Sequence, residues 1–424
     1  MPKIKRLWGR EVLDSRGTPT VLAMCTLEDG TLASASVPSG ASTGTAEAFE
    51  LRDKDPKRYQ GLGCRRAAAN IGVALHGALI GHEFTDQSEL DQAMIELDGT
   101  PNKSHLGANA ILAVSVAFAR AHAVHRGVPL YQHFADMLGS PANALPRLTI
   151  NLLSGGKHAG QQVSIQDVLI VPMSAGTADE ALVTASAVYQ AAADLAFKKY
   201  GMRLLTADEG GLAPPFKSAE EMFLLAVEAI EQAGYVPGED IFLGVDVAST
   251  HFYKQQRYEL DSDVLDSRGM IQTISDWLKR FPIISVEDGL AEDDWKNWPK
   301  LREAIERRAL TLGDDLLCTN PARIQRAIDS KSCDALLLKV NQIGTLTEAL
   351  KACQQARDAG WSITLSVRSG ETEDNWAADL AVGWRAHQFK NGSIRQSERL
   401  AKYNRLLEIA EITGWSLTPW FPAR

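Results

Sequence analysis

The sequence predicts an α/β fold in which a βα barrel follows a smaller region of mixed strands and helices. Three observations predict it. Through the last two-thirds of the chain, short continuous apolar runs alternate with amphipathic helical stretches, as in parallel sheets covered on both faces. Seven or eight such units are present, enough to close a barrel. The 424 residues leave room for a barrel of ~250 residues and a second domain.

The elements follow in order. TPTVLAMCTL and TLASASV, joined by Glu28-Asp29-Gly30, predict a hairpin. The irregular stretch PSGASTGTAEA comes next. Ala67 to Ile80 and Gly107 to His125 predict helices, the second rich in alanine with apolar residues at helical spacing. Pro129, Pro141 and Pro146 mark a boundary, giving expected domains 1–135 and 136–424. Beyond it VLIVP leads into a helix over Asp179–Tyr200, IFLGVD into Met270–Phe281 and IISVED into Asp293–Arg308. ALTLGDD, ALLLKV, SITLSV and AHQF follow, each trailed by a helix.

Composition narrows the function. A net charge of −9 and a pI of about 5.6 argue against nucleic acid as the primary partner, while leaving room for a local cationic pocket. Cys25, Cys64, Cys318, Cys333 and Cys353 form no CxxC pair, so neither a disulfide framework nor a zinc knuckle is expected. The start lacks a signal-peptide core, and no apolar run reaches the ~18–20 residues of a membrane span. A cytoplasmic protein is expected.

Charged residues end six consecutive predicted strands: Asp246, Glu287, Asp314, Lys339, Arg368 and Lys390. In a parallel barrel these ends meet at one mouth, where active sites sit. Three carboxylates there suit a hard divalent cation, Mg²⁺ above all, and the lack of His or Cys among them argues against zinc. Lysines beside a metal balance an anionic substrate or act as base. Arg368 and Ser369 suit a phosphate. The set fits abstraction of a proton next to a carboxylate, with metal charge stabilising the dianion. Glu209, in TADEGGLAPP, is a candidate acid facing the lysine base.

These residues sit in longer strings: DSRGTPTV, SVPSGASTG, LDGTPNKSHLGANAIL, ADEGGLAPP, VEDGLAEDDW, GDDLLCTNP, LLLKVNQIGTLTEAL, RSGETED and SERLAKYNRLL. Through them the chain resembles the enolase (phosphopyruvate hydratase) family over essentially its whole length. The resemblance implies an α+β N-terminal domain capping an eight-stranded, TIM-like βα barrel. It implies Asp246, Glu287 and Asp314 as ligands of one Mg²⁺ and Ser39, in a loop that closes as a lid, as ligand of a second. Lys339 is implied as the base at C2, Glu209 as the acid at the C3 hydroxyl, and Lys390 as partner of the substrate carboxylate. Arg368 and Ser369 are implied as the phosphate clamp, with Gln166, Asp167 and His158 as further active-site contacts. A small phosphorylated substrate and a homo-oligomer, dimer or octamer, complete the expectation.

Three positions depart from the family pattern. Val367 stands where the family has His before Arg-Ser-Gly-Glu-Thr-Glu-Asp. Asp167 replaces Glu, and Ser154 replaces Asn before Gly-Gly. The implied activity is reversible dehydration of 2-phosphoglycerate to phosphoenolpyruvate. The departures keep open a related dehydration of a modified 2-substituted glycerate, such as a phosphonate-type analogue. A non-catalytic scaffold is the third reading, and the intact base and metal-ligand positions count against it.

Overall fold

A computed structural model describes residues 2–41, 44–201 and 205–420. Strands β1 (Ile4–Leu13), β2 (Pro19–Leu27) and β3 (Leu32–Ser36) form an antiparallel sheet in that order. The expected hairpin is β2–β3, its turn closed by Gly30 N–H on the Leu27 carbonyl and Thr31 N–H on Asp29 Oδ1. The helix expected over 67–80 spans 65–79 and contains a π-type segment, Ile71–Leu75. The alanine-rich helix runs Ala108–His125 and is buried on every side from Ala108 to Ala119. A helix apolar all round needs cover all round. Here β2 and β3 lie on one side, and the barrel's Val340–Gln342 turn also packs against it.

The barrel is closed and eight-stranded. Its strands are β4 (Arg147–Ser154), β5 (Asp167–Pro172), β6 (Ile241–Asp246), β10 (Ile283–Glu287), β11 (Leu310–Gly313), β12 (Ala335–Leu338), β13 (Ser362–Ser366) and β14 (Gln388–Lys390). A small antiparallel sheet of β7 (Tyr253–Lys254), β8 (Arg257–Leu260) and β9 (Asp263–Leu265) follows β6. One expectation fails: the barrel is not parallel throughout, because β5 runs against both β4 and β6. Parallel neighbours need a long crossover, and residues 155–166 between β4 and β5 hold only a short turn, Gly156–Ala159, so the chain doubles back. The rhythm of apolar runs also gave no warning of β4 itself. The reversal matters for the site, because it puts the start of β5, not its end, at the barrel mouth.

Two expected helices differ in extent. Met270–Phe281 is Ser267–Arg280, capped by Asp266, which accepts from Gly269 N–H at 2.8 Å. Asp293–Arg308 shortens to Trp298–Ile305, because Asp294 takes hydroxyls from Tyr258 and Ser267 and fixes the preceding residues as a turn. The five cysteines are free and buried. Among the described residues no helix is long and apolar enough to cross a membrane.

Candidate active site

Asp246, Glu287 and Lys390 close β6, β10 and β14. Asp314 and Lys339 follow β11 and β12 directly, and Arg368 stands two residues past β13. The register fixes neighbours: Glu287 pairs with Asp246, and Asp167 with Asp246 across the antiparallel edge. Lys390 Nζ lies 2.8 Å from Asp246 Oδ2 and 2.6 Å from Glu287 Oε2. Lys339 Nζ is ion-paired with Asp314 Oδ2, and Gln342 Nε2 donates to Asp314 Oδ1 at 2.7 Å. Gln166 Nε2 donates to Asp246 Oδ2 at 3.1 Å. Asp288 holds the end of β11 by accepting N–H bonds from Asp314 and Asp315 at 3.0 and 2.8 Å.

Burial and the neighbouring charges oppose one another here. It pushes the Glu287 carboxyl well above the usual carboxylate range, and the charge of Asp246 adds to that rise. Burial would raise Asp246 as well, but Lys390 outweighs it and brings this carboxyl down to about 2. Burial would lower Lys339, but the charges of Asp314 and Glu287 together outweigh it and hold the ammonium above its ordinary value.

Glu209 and His158 build the opposite part of the site. Glu209 Oε2 accepts from Asn151 Nδ2 at 3.0 Å, and Glu209 Oε1 lies 3.9 Å from His158 Nε2. His158 Nδ1 lies 3.2 Å from Asp167 Oδ2. Asp167 Oδ1 accepts from Ser154 Oγ at 2.5 Å. Burial would lower the imidazole, but the carboxylates of Asp167 and Glu209 outweigh it and raise it to about 8.

One small cavity is lined by His158, Gln166, Glu209, Asp246, Lys339, Ser366, Val367, Arg368, Ser369 and Lys390. Val367, 6% exposed, also lines an adjoining cavity with Leu365, Trp376 and Leu380, and with Ser366 and Arg368 it stands between the two. Arg368 forks onto Glu47 at 2.9 and 3.2 Å and reaches Asn341 Oδ1 at 3.1 Å. Gly40 leaves room for its guanidinium, since a Cβ there would stand 1.8 Å from Arg368 Nη2 and force it to shift. Ser369 Oγ accepts from Ala41 N–H at 2.9 Å and from Arg16 at 3.3 Å.

Ser39 does not line that cavity. Its Oγ accepts from Arg52 at 2.6 Å and donates to Glu50 at 3.2 Å, while its backbone pairs with Gly370. Ser42 and Thr43 of the same expected lid lie outside the described residues. Asn151, Glu47, Gln342 and Asp288 are site neighbours that sequence reasoning did not single out.

Among the described residues, two groupings bring ligand atoms within 4.8 Å of one another: His158–Asp167–Glu209 and Asp288–Asp314–Asp315. Neither is the expected Asp246–Glu287–Asp314 trio, in which lysines take up oxygens of each carboxylate. The trio's donor set nevertheless fits a hard cation. Glu287 Oε1 and the neighbouring Gln166 Oε1 are buried oxygens with no hydrogen-bond partner.

Family models match the chain in two pieces. That for the enolase N-terminal domain matches residues 4–134, and that for the enolase C-terminal TIM barrel domain matches residues 142–417.

Proposed function

The chain belongs to the enolase family, whose domains mark a metal-dependent, lyase-type enzyme, and on that premise we propose that it interconverts 2-phosphoglycerate and phosphoenolpyruvate with Mg²⁺. The observation that carries this reading is that Lys339 and Glu209 line one cavity together with Lys390 and Arg368. A base, an acid and two anion partners then face a single small substrate.

Asp246, Glu287 and Asp314 would hold one Mg²⁺, and Ser39 a second. When bound, the ions supply positive charge that stabilises a dianion at the substrate carboxylate. The chain's own groups do the rest. Lys390 meets the substrate carboxylate. Arg368 exchanges Glu47 for the phosphate, a like-for-like swap of bidentate anions. Ser369 adds a hydroxyl beside it. Lys339, flanked by Arg368 and Lys390, becomes a base once it parts from Asp314, because burial and those two cations both favour its neutral form. Lys339 Nζ takes the C2 proton, and Glu209 gives a proton to the departing C3 hydroxyl. Gln166 fixes Asp246, and Asp167 fixes His158. This reading carries with it a cytoplasmic homo-oligomer.

The second reading, dehydration of a 2-substituted glycerate with a phosphonate-type group, is favoured by Val367, which puts an apolar wall where the substrate sits. A panel decides between them. Chelator-sensitive release of phosphoenolpyruvate from 2-phosphoglycerate at ~1–10³ s⁻¹ supports the first. Turnover only on modified glycerates supports the second.

A further inference from the structure

The paired departures at Ser154 and Asp167 are neighbours in space as well as in pattern. β4 and β5 place the two opposite one another across the strands. Ser154 Oγ meets Asp167 Oδ1 at 2.5 Å, which leaves Oδ2 for His158 Nδ1 at 3.2 Å. Asp167 is fully buried, where an unpaired carboxylate is costly, and each of its oxygens has a partner. Gly211 makes room for the serine, since a Cβ there would stand 2.4 Å from Ser154 Oγ. With Nδ1 held, the ring presents Nε2 to Glu209 Oε1 at 3.9 Å, and Asn151 fixes the other glutamate oxygen. Among the described residues lining the cavity, His158 is the one imidazole, while Val367 offers no polar atom.

We infer that Ser154 and Asp167 are positioning residues that hold His158 as the proton-transfer partner of Glu209, serving elimination of the hydroxyl and not abstraction at C2. The inference rests on the dehydration reading above. In the forward step Glu209 passes its proton to the C3 hydroxyl oxygen. The C3–O bond breaks with its electron pair, the pair left at C2 forms the C2=C3 bond, and water departs. His158 Nε2–H then returns a proton to Glu209 Oε1 while Asp167 balances the imidazolium, and solvent reprotonates His158. Asn151 and Ser154 of β4 and Asp167 of β5 hold the two ends of this chain, so the β4–β5 reversal brings them together.

The test uses 2-phosphoglycerate deuterated at C2, with Mg²⁺, and reads two rates in one sample: deuterium washout and phosphoenolpyruvate formation. Asp167→Asn and Ser154→Ala are expected to leave washout within about 2-fold and to slow product formation by ~10²-fold, the range of a positioned proton-transfer group. The double variant should be no slower than Asp167→Asn alone, since the two act as one unit. Equal losses in both rates, or no loss in either, overturn the inference by assigning the pair to structure only. Absence of washout in the unaltered chain overturns the dehydration reading instead. Should the variants not fold, the intact protein still decides: a downfield, exchange-protected Nδ1 proton on His158 in the NMR spectrum is required, and its absence refutes the relay.

Discussion

The two sides of the cavity are built differently. On one, Asp246, Glu287, Asp314, Lys339 and Lys390 all stand at or just past the ends of barrel strands, and each lysine is seated on carboxylates. On the other, Glu209 and His158 come from irregular connections, and their alignment depends on Asn151, Asp167 and Ser154 beside them. The first side draws its precision from a closed sheet. The second draws it from side-chain hydrogen bonds, so residues can be exchanged there without disturbing the barrel. All three departures from the family pattern fall on or next to that second side. In the proposed reaction the strand-end side removes the proton and the loop side releases the hydroxyl.

That division can be broken in several places. The largest effect is expected at Lys339. Lys339→Ala should slow C2 exchange by ~10²–10⁴-fold, while calorimetric Mg²⁺ binding stays nearly unchanged; persistent exchange would remove Lys339 as base. Next comes Arg368→Lys, which keeps the charge but loses the fork. KM for 2-phosphoglycerate should rise by ~10-fold or more, the loss of one charge-assisted hydrogen bond, and unchanged steady-state KM would take the phosphate away from Arg368. Val367→His should raise turnover of 2-phosphoglycerate by about 10-fold; no gain in an intact fold would mean that the loop side has settled around another substrate.

The smallest effect is in pH dependence. The His158 imidazole is raised from its ordinary 6.5 to about 8. A raised folded-state value contributes stability that is fully present below pH 6.5 and is lost as pH rises through about 8. The contribution is about 2 kcal/mol by the linkage relation. Denaturant melts of the metal-free protein should fall across that window, and His158→Gln should flatten the fall. A variant with an unaltered profile would dissociate the imidazole from Asp167.

The strand-end side was legible in the sequence because it follows one rule repeated six times: an apolar run, then a charge. Burial of each strand made the runs continuous, and the barrel made the charges converge. β4 and the reversal of β5 were not legible, because a buried strand reads alike in either direction and only the short 155–166 connection betrays the turn. Glu47 was missed for a similar reason. Its bond to Arg368 joins residues more than three hundred apart, and nothing local to Glu47 points to it. Ser154 and Asp167 were visible as departures, yet only their cross-strand register showed that they touch.

The central claim is that Lys339 removes the C2 proton of a glycerate held at the metal side. Deuterium washout from C2 of 2-phosphoglycerate tests it most directly. The account predicts washout that requires Mg²⁺, stops on addition of chelator and is slowed by ~10²–10⁴-fold in Lys339→Ala. Deuterium retained at C2 with Mg²⁺ and substrate both bound, or washout indifferent to the chelator, would contradict it.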